Sequence, residues 1–418
     1  MRVTRRTKRL LVVALFGLVT FTTFAWSRDW LAWWPQEWAR QALARRDYES
    51  AWRWAQRAMH LDHHNAETEF LWARLERKRG HLDEVSRHLQ RAAKLGVDHE
   101  RIDREALLAQ AQTGALDGIL TQLDRLLIDH SDEGAEICEA YANGLLVNGQ
   151  IDAARSVIQQ WQVAFPADPQ ADNLLGRLAE FDHSPTEAEE HYRRALAKNP
   201  RHFSSAYGLG RTLMELNRWQ EAFDAYQTCL LLPVKAAAQV GMARSLAGLG
   251  QDEQALKLLH AAAETPREVL IDVFKQLGEP TESDILSFEL GTLETRLGHS
   301  EAAIRWLRRA VDYNPKHRQA QYQLAIALNA AGRSAEAEQC FERYSRIQSQ
   351  LAEIDRLYDV VKADPENIDA RFRLGALCLE ADSESAGLFW LRSVLARDPN
   401  HQPTHEKLRE HRQPHGLE

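Results

Sequence analysis

The residue types able to do covalent or metal chemistry are few in this chain, and their spacing argues against such chemistry. There are four cysteines, Cys138, Cys229, Cys340 and Cys378. No two are within C-x-x-C reach, which excludes zinc ribbons and dithiol redox motifs. They are expected to be buried, inert thiols, with a Cys340–Cys378 disulfide as the alternative. Seventeen histidines include the cluster His60, His63 and His64 and the pair His401/His405. No Cys or carboxylate frame accompanies them at ligand spacing, so no metal is expected. The sequence has no G-x-G-x-x-G, no G-x-x-x-x-G-K-[ST], no G-x-S-x-G and no H-E-x-x-H. No cofactor is expected, and the chain is not expected to be an enzyme. What recurs instead is arginine: Arg40 and Arg74 lie 34 residues apart, as do Arg177 and Arg211, and Arg244 follows after 33. A guanidinium is a planar fork of donors suited to carboxylates, so the chemistry to look for is recognition.

Those arginines must be held by elements that repeat. A small or aliphatic residue recurs at Ala51, Val85, Ile119, Ala154, Ala188, Ala222 and Ala255 at intervals of 33 to 35 residues. It returns at Ala303, Ala337 and Gly387 after gaps of 48, 34 and 50. Other positions keep phase with it. Twelve residues earlier stand Gly176, Gly210, Gly291 and Gly375, each preceded by Leu. Four residues later stand Tyr192, Tyr226 and Phe341, and seven later Ala58, Ala92, Ala195, Ala262 and Ala310, with Cys229 in the same slot. Twelve later stand Pro166, Pro200, Pro315 and Pro399. Amphipathic spacing near 3.6, with Ala, Leu, Arg and Glu dominant and almost no period-two runs, predicts an all-α fold.

The pattern L-G-x-x-Y, A-x-x-x-F, P at a 34-residue period resembles the tetratricopeptide repeat family over about ten units between residues 35 and 410. The opening Trp of the family consensus is missing, and the first and third units are degenerate. The resemblance implies helix hairpins, an A helix and a B helix, stacked into a right-handed superhelical solenoid. Its concave groove would be lined by A helices and would bind a partner protein or peptide. Groove positions are then the residue after the small one in helix A, including Arg74, Asn143, Arg177, Arg211 and Arg244, and the residue three before it, including Asn173, Tyr207, Phe288, Tyr322 and Phe372. The middle of the groove is expected to be basic, taking an acidic segment, and its later part aromatic. The competing reading pairs each arginine locally, Arg177 with Glu180 and Arg211 with Glu215.

Residues 10–26 are apolar and uncharged, and five basic residues precede them. As a helix they would span ~26 Å. Trp26 closes the run and Trp30, Trp33, Trp34 and Trp38 follow, as in an aromatic belt. We expect a single-pass signal-anchor in a bacterial inner membrane, with the body on the periplasmic side; a cleaved signal is the alternative. The net charge of −8 includes +5 from the first 26 residues, and so acidic a body is a poor partner for nucleic acid. The expected order is a basic cytoplasmic segment (1–9), the anchor (10–26) and a Trp-rich linker (27–34). Repeats 1–7 (35–262), an inserted helix (263–282) and repeats 8–9 (283–345) follow, then a helix extension (346–367), repeat 10 (368–410) and a tail (411–418). The stretch 333–363, without Gly or Pro, is either an overlong helix B or two helices end to end, and it offers a surface for oligomerisation. The resulting expectation is a membrane-anchored interaction scaffold. The alternatives are an accessory subunit of an envelope enzyme or assembly complex, or a self-assembling structural protein. Anchored repeat subunits of lipopolysaccharide-assembly machinery are similar but carry a C-terminal C-x-x-C pair that is absent here.

Overall fold

The computed structural model describes residues 28–412 except 46, 63, 117, 130–133, 232–233, 280–283 and 382–383. The expected anchor at 10–26 and its basic flank lie outside the described residues. Among the described residues there is no strand, and no helix is long and apolar enough to cross a membrane.

The chain divides into two compact units, Met1–Val234 and Lys235–Glu418. The first contains α1 (Arg28–Ala44), α2 (Tyr48–Leu61), α3 (Ala66–Arg79), α4 (Leu82–Lys94), α5 (His99–Gln112), α6 (Leu120–Asp129), α7 (Gly134–Val147), α8 (Ile151–Ala164), α9 (Pro169–Phe181), α10 (Pro185–Lys198), α11 (Phe203–Glu215) and α12 (Trp219–Gln227). The segment 27–34, expected as a linker, is already helical from Arg28, with Pro35 inside α1. The second unit contains α13 (Lys235–Gly248), α14 (Asp252–Ala262), α15 (Arg267–Leu277), α16 (Ile285–Arg296), α17 (Ser300–Tyr313), α18 (Arg318–Ala330), α19 (Ser334–Ala363), α20 (Ile368–Glu380), α21 (Glu384–Leu395) and α22 (Gln402–Arg412). In each unit most consecutive helices pack as hairpins, though α5 packs on α7 rather than on α6, and B helices also pack on the next A helix, as α10 does on α11 and α17 on α18. This is the all-helical, tetratricopeptide-like solenoid expected from the repeat.

The repeated residues explain the packing. Tyr192 of α10 is fully buried between Gly176 of its own A helix and Gly208 of the next. A Cβ at either glycine would sit 2.7 or 2.5 Å from the ring, so only glycine lets an aromatic lie flat against both backbones. The A helices end on residues with positive φ, such as Gly149, Gly298 and Gly332. There the left-handed conformation lets late carbonyls find donors. Several A helices begin on side-chain caps: Asp168 accepts the Gln170 N–H, with Pro169 at the first helical position, and Asn367 accepts that of Ala370.

Two departures from the period matter. The inserted helix α15 buries Leu270, Phe274 and Leu277 and touches α13. The second insertion is a single unbroken helix of 30 residues, α19. Its first half packs on α18 and its second half on α20, where Leu357 and Val361 join Leu374 and Cys378. Some consecutive A helices touch, as α9 does α11 and α16 does α18; no comparable contact joins α18 to α20, nor α7 to α9.

Candidate functional site

The arginine ladder is where sequence and structure part. Arg211 does not reach Glu215; it grips Glu180 of the preceding repeat with Nε (3.0 Å) and Nη2 (2.6 Å). Glu180 also accepts from Thr212 Oγ1 at 3.1 Å and from the Tyr192 hydroxyl at 2.8 Å. Burial, reinforced by the Glu180 charge, pushes the Tyr192 pKa well above its usual value, so this phenol stays a donor. Arg74 is bound by Glu136 at 2.6 Å. Arg244, in the second unit, is held by Glu289 at 2.7 Å and lies 3.7 Å from Glu279. These guanidiniums bind carboxylates of the chain itself and form no open row for an acidic ligand. Arg177 alone among the predicted arginines is exposed and makes no hydrogen bond or ion pair among the described residues, and its expected partner Glu180 belongs to Arg211.

The strongest part of this network lies outside the predicted groove residues. Arg77 is fully buried and joins Glu105 (2.5 Å) and Glu136 (2.8 Å), while Lys78 reaches Glu139 at 2.7 Å. The cluster ties α3 to α5 and α7. Burial opposes charge on Glu136, but Lys78, Arg74 and Arg77 outweigh it and hold the carboxyl well below the usual range. The only sequence signal was a basic run, Arg77-Lys78-Arg79, at the end of an A helix.

Two further predicted groove residues are internal. Tyr207 is 0% exposed, its ring 5.1 Å from that of Tyr226. Asn173 is buried and accepts a hydrogen bond from Ser205 Oγ of the next A helix at 3.0 Å. At these two places the position three before the small residue is packed inside the stack and does not line a groove. Asn143 is half-buried.

The exception proves informative. Tyr322 holds that same position in α18, yet it is 41% exposed, because α19 runs on where the next A helix should start. Its ring meets Phe341 (5.9 Å) and Tyr344 (5.2 Å) of α19. Beside it opens a cleft of ≈ 440 Å³ lined by Phe288, Tyr322 and Tyr344, by the amides of Gln319, Gln323 and Gln348, and by Arg318. Arg318 makes no hydrogen bond or ion pair with its side chain among the described residues. Aromatic faces with a few convergent polar groups are what a recognition pocket needs. Phe288 also leans on His317 at 4.9 Å, and burial lowers the pKa of that imidazole. Phe372, expected to continue the aromatic row, lies instead against His401 at 5.3 Å and does not line the cleft.

All four cysteines are free and buried, so Cys340 and Cys378 are not bridged. Burial pushes the Cys138 thiol to about 11 and Cys229 to about 12. Among the described residues no cluster of three or more His, Cys, Asp or Glu has metal-holding geometry.

Comparison with known proteins bears on the fold. Two tetratricopeptide repeat family models match, one over residues 174–230 and 288–352, the other over 212–277. No curated protein matches the sequence. Solved structures resemble it at low identity. YrrB, titled a TPR protein with an unusual peptide-binding site, is 19% identical over 52% of this chain and 97% of its own, with a TM-score of 0.30. The C-terminal part of a TPR repeat-containing protein from Cytophaga hutchinsonii is 15% identical over 64% and 98%, with a TM-score of 0.37. Pseudomonas aeruginosa pilF is 13% identical over 67% and 98%, with a TM-score of 0.31. The chain is an all-helical repeat protein whose residues 174–277 and 288–352 match the tetratricopeptide repeat family.

Proposed function

We propose that this protein is a non-enzymatic scaffold, anchored in a bacterial inner membrane by residues 10–26 with its body on the periplasmic side, that binds a partner protein or peptide in the cleft between α18 and α19. The observation that carries the binding reading is the uncovered Tyr322 in a ≈ 440 Å³ cleft, where α19 runs on in place of the next A helix. Phe288, Tyr322 and Tyr344 offer apolar surface to an aromatic or aliphatic anchor of the partner. The three glutamine amides suit its backbone groups, and Arg318 is the free guanidinium beside them, so an acidic residue next to the anchor fits. The earlier expectation of an acidic segment thus moves from the arginine ladder to Arg318. Exposed Leu351 (38%) and Tyr358 (54%) on α19 favour a second reading, self-association through residues 333–363, which a mass measured in detergent separates from a monomeric adaptor.

The test is affinity capture from the envelope fraction with Tyr322→Ala and Arg318→Glu beside the parent chain. The expected result is loss of the same partners from both variants at unchanged melting temperature. Undiminished capture by both overturns the cleft. A periplasm-active reporter fused after residue 60 tests the topology; an inactive reporter there, with a cytoplasmic one active, overturns it.

A further inference from the structure

The first hairpin carries a surface that packing does not explain. Helix α1 buries Ala32, Ala39 and Ala42, and the last two join Ala51, Ala55, Leu71 and Leu75. On its other side Trp33, Trp34 and Trp38 are 45, 50 and 47% exposed. Trp52, Trp54, Trp72, Trp161, Trp219, Trp306 and Trp390 are each buried or half-buried. The rings meet in two pairs: Trp33 meets Trp34 edge-on at 5.0 Å, and Trp38 meets the half-buried Trp54 of α2 at 4.4 Å, with the Arg57 guanidinium 4.7 Å above Trp54.

Charge and chain order say what such a face meets. Residues 28–61 hold six arginines against four acids, a formal +2, within a chain of net −8. This locally basic stretch of an acidic chain therefore carries the exposed indoles. Helix α1 begins two residues after the apolar run 10–26 ends, so with that run in a bilayer α1 starts at the water boundary. Indole combines an apolar body with a donor N–H and prefers that boundary, and arginines near it gain from anionic headgroups. A second copy fits less well. Three half-exposed indoles of ~150–250 Å² each leave on the order of 200–400 Å², against roughly 800 Å² per partner in a stable interface.

We propose that α1 lies in the membrane interface, with Trp33, Trp34 and Trp38 among the headgroups and upper acyl chains of anionic phospholipid. The first repeat is then held against the bilayer rather than hanging from a flexible tether, which fixes the orientation of the hairpins stacked on it. This rests on the anchoring reading above, and the test separates the two.

The full chain is reconstituted in phosphatidylcholine vesicles, with and without phosphatidylglycerol, made with acyl chains brominated near the headgroup. An environment-sensitive fluorophore is placed on Trp34→Cys and, as control, on Val163→Cys, which is 80% exposed on α8; labelling of the parent chain gives the background from the buried thiols. The expected result is several-fold stronger quenching at position 34 than at 163. It should increase with phosphatidylglycerol and fall when Trp33→Ser and Trp38→Ser are added. Equal quenching at 34 and 163 overturns the docking. Carbonate washing of the same vesicles reports on the anchor independently. Retention with an unquenched position 34 rejects the docking and keeps the anchor; release with quenching at 34 does the reverse. Shielding of position 34 that appears only at high protein-to-lipid ratio assigns the face to a second copy and overturns the proposal.

Discussion

Arg77 and Arg211 show that a charged side chain in this solenoid is an internal fastener. Arg77 has no exposed surface, so taking it from water is costly unless both carboxylates stay in place. Arg77→Met should strand the buried Glu105, with a loss of about 3–5 kcal/mol of stability, measured by chemical denaturation; a loss within error would mean that Glu105 and Glu136 relax to water. Arg211 is more accessible, and its two bonds to Glu180 are charge-assisted. Arg211→Ala should cost ~1.5–3 kcal/mol and leave partner capture intact, because the side chain already has its carboxylate. Weakened capture at unchanged stability would return Arg211 to the binding surface. His317 adds a pH term. Its Nδ1 accepts the Ala320 N–H at 3.0 Å, which requires the neutral ring, and burial lowers its pKa. Protonation therefore favours the unfolded chain. The contribution is fully present above the unfolded value of about 6.5 and is lost as pH falls through the lowered folded value. His317→Asn keeps a cap without a titrating group, so its melting temperature should fall less than that of the parent chain between neutral and mildly acidic pH. Parallel curves would show that the ring is not the titrating element.

At the scale of the helix hairpin, the legible features are those the backbone itself demands. Gly176 and Gly208 recur because the Tyr192 ring leaves no room for a Cβ, and Ala188 and Ala195 are fully buried for the same kind of closeness. Gly208→Ala should therefore cost about 1–3 kcal/mol from overpacking. Gly176→Ala should do the same from the opposite face of the same ring, and a double variant with Tyr192→Leu should recover part of the loss. Full additivity of the two changes would argue against the shared contact. The arginine partners were not legible, because helix periodicity points to neighbours three or four residues away. Glu180 lies 31 residues before Arg211, and Glu136 lies 62 after Arg74; the stacking of one repeat on another decides those pairs. Tyr207 and Tyr322 illustrate the same limit. They occupy equivalent positions in the repeat, and the exposure of Tyr322 follows from the 30-residue length of the next helix, α19, not from the residues of its own helix. The cleft was visible in the sequence only as Phe288 and Tyr322; Tyr344 and Gln348 lie within the stretch 333–363, whose helical continuity alone was legible.

At the scale of the molecule, a stack of hairpins has no single core. Each repeat touches its neighbours, so stability is a sum of repeat and interface contributions and unfolding need not be all-or-none. The cysteines are placed to read this. Cys138 and Cys229 lie in the unit ending at Val234, and Cys340 and Cys378 in the unit beginning at Lys235. All four are buried, and burial raises the pKa of each thiol. The thiolate is the reactive form, so alkylation of the native protein should be slow at every site. Rising urea should then expose the pairs in two steps rather than one, resolved by mass spectrometry of the labelled peptides. Glu105 and Glu136 fasten α3 to α5 and α7, whereas the second unit contains the cleft and the bare middle of α19, so Cys340 and Cys378 should react at the lower urea concentration. Arg77→Met should move the Cys138 transition down and leave that of Cys378 in place. Simultaneous labelling of all four thiols, in the parent chain and in the variant alike, would show that the two units unfold as one.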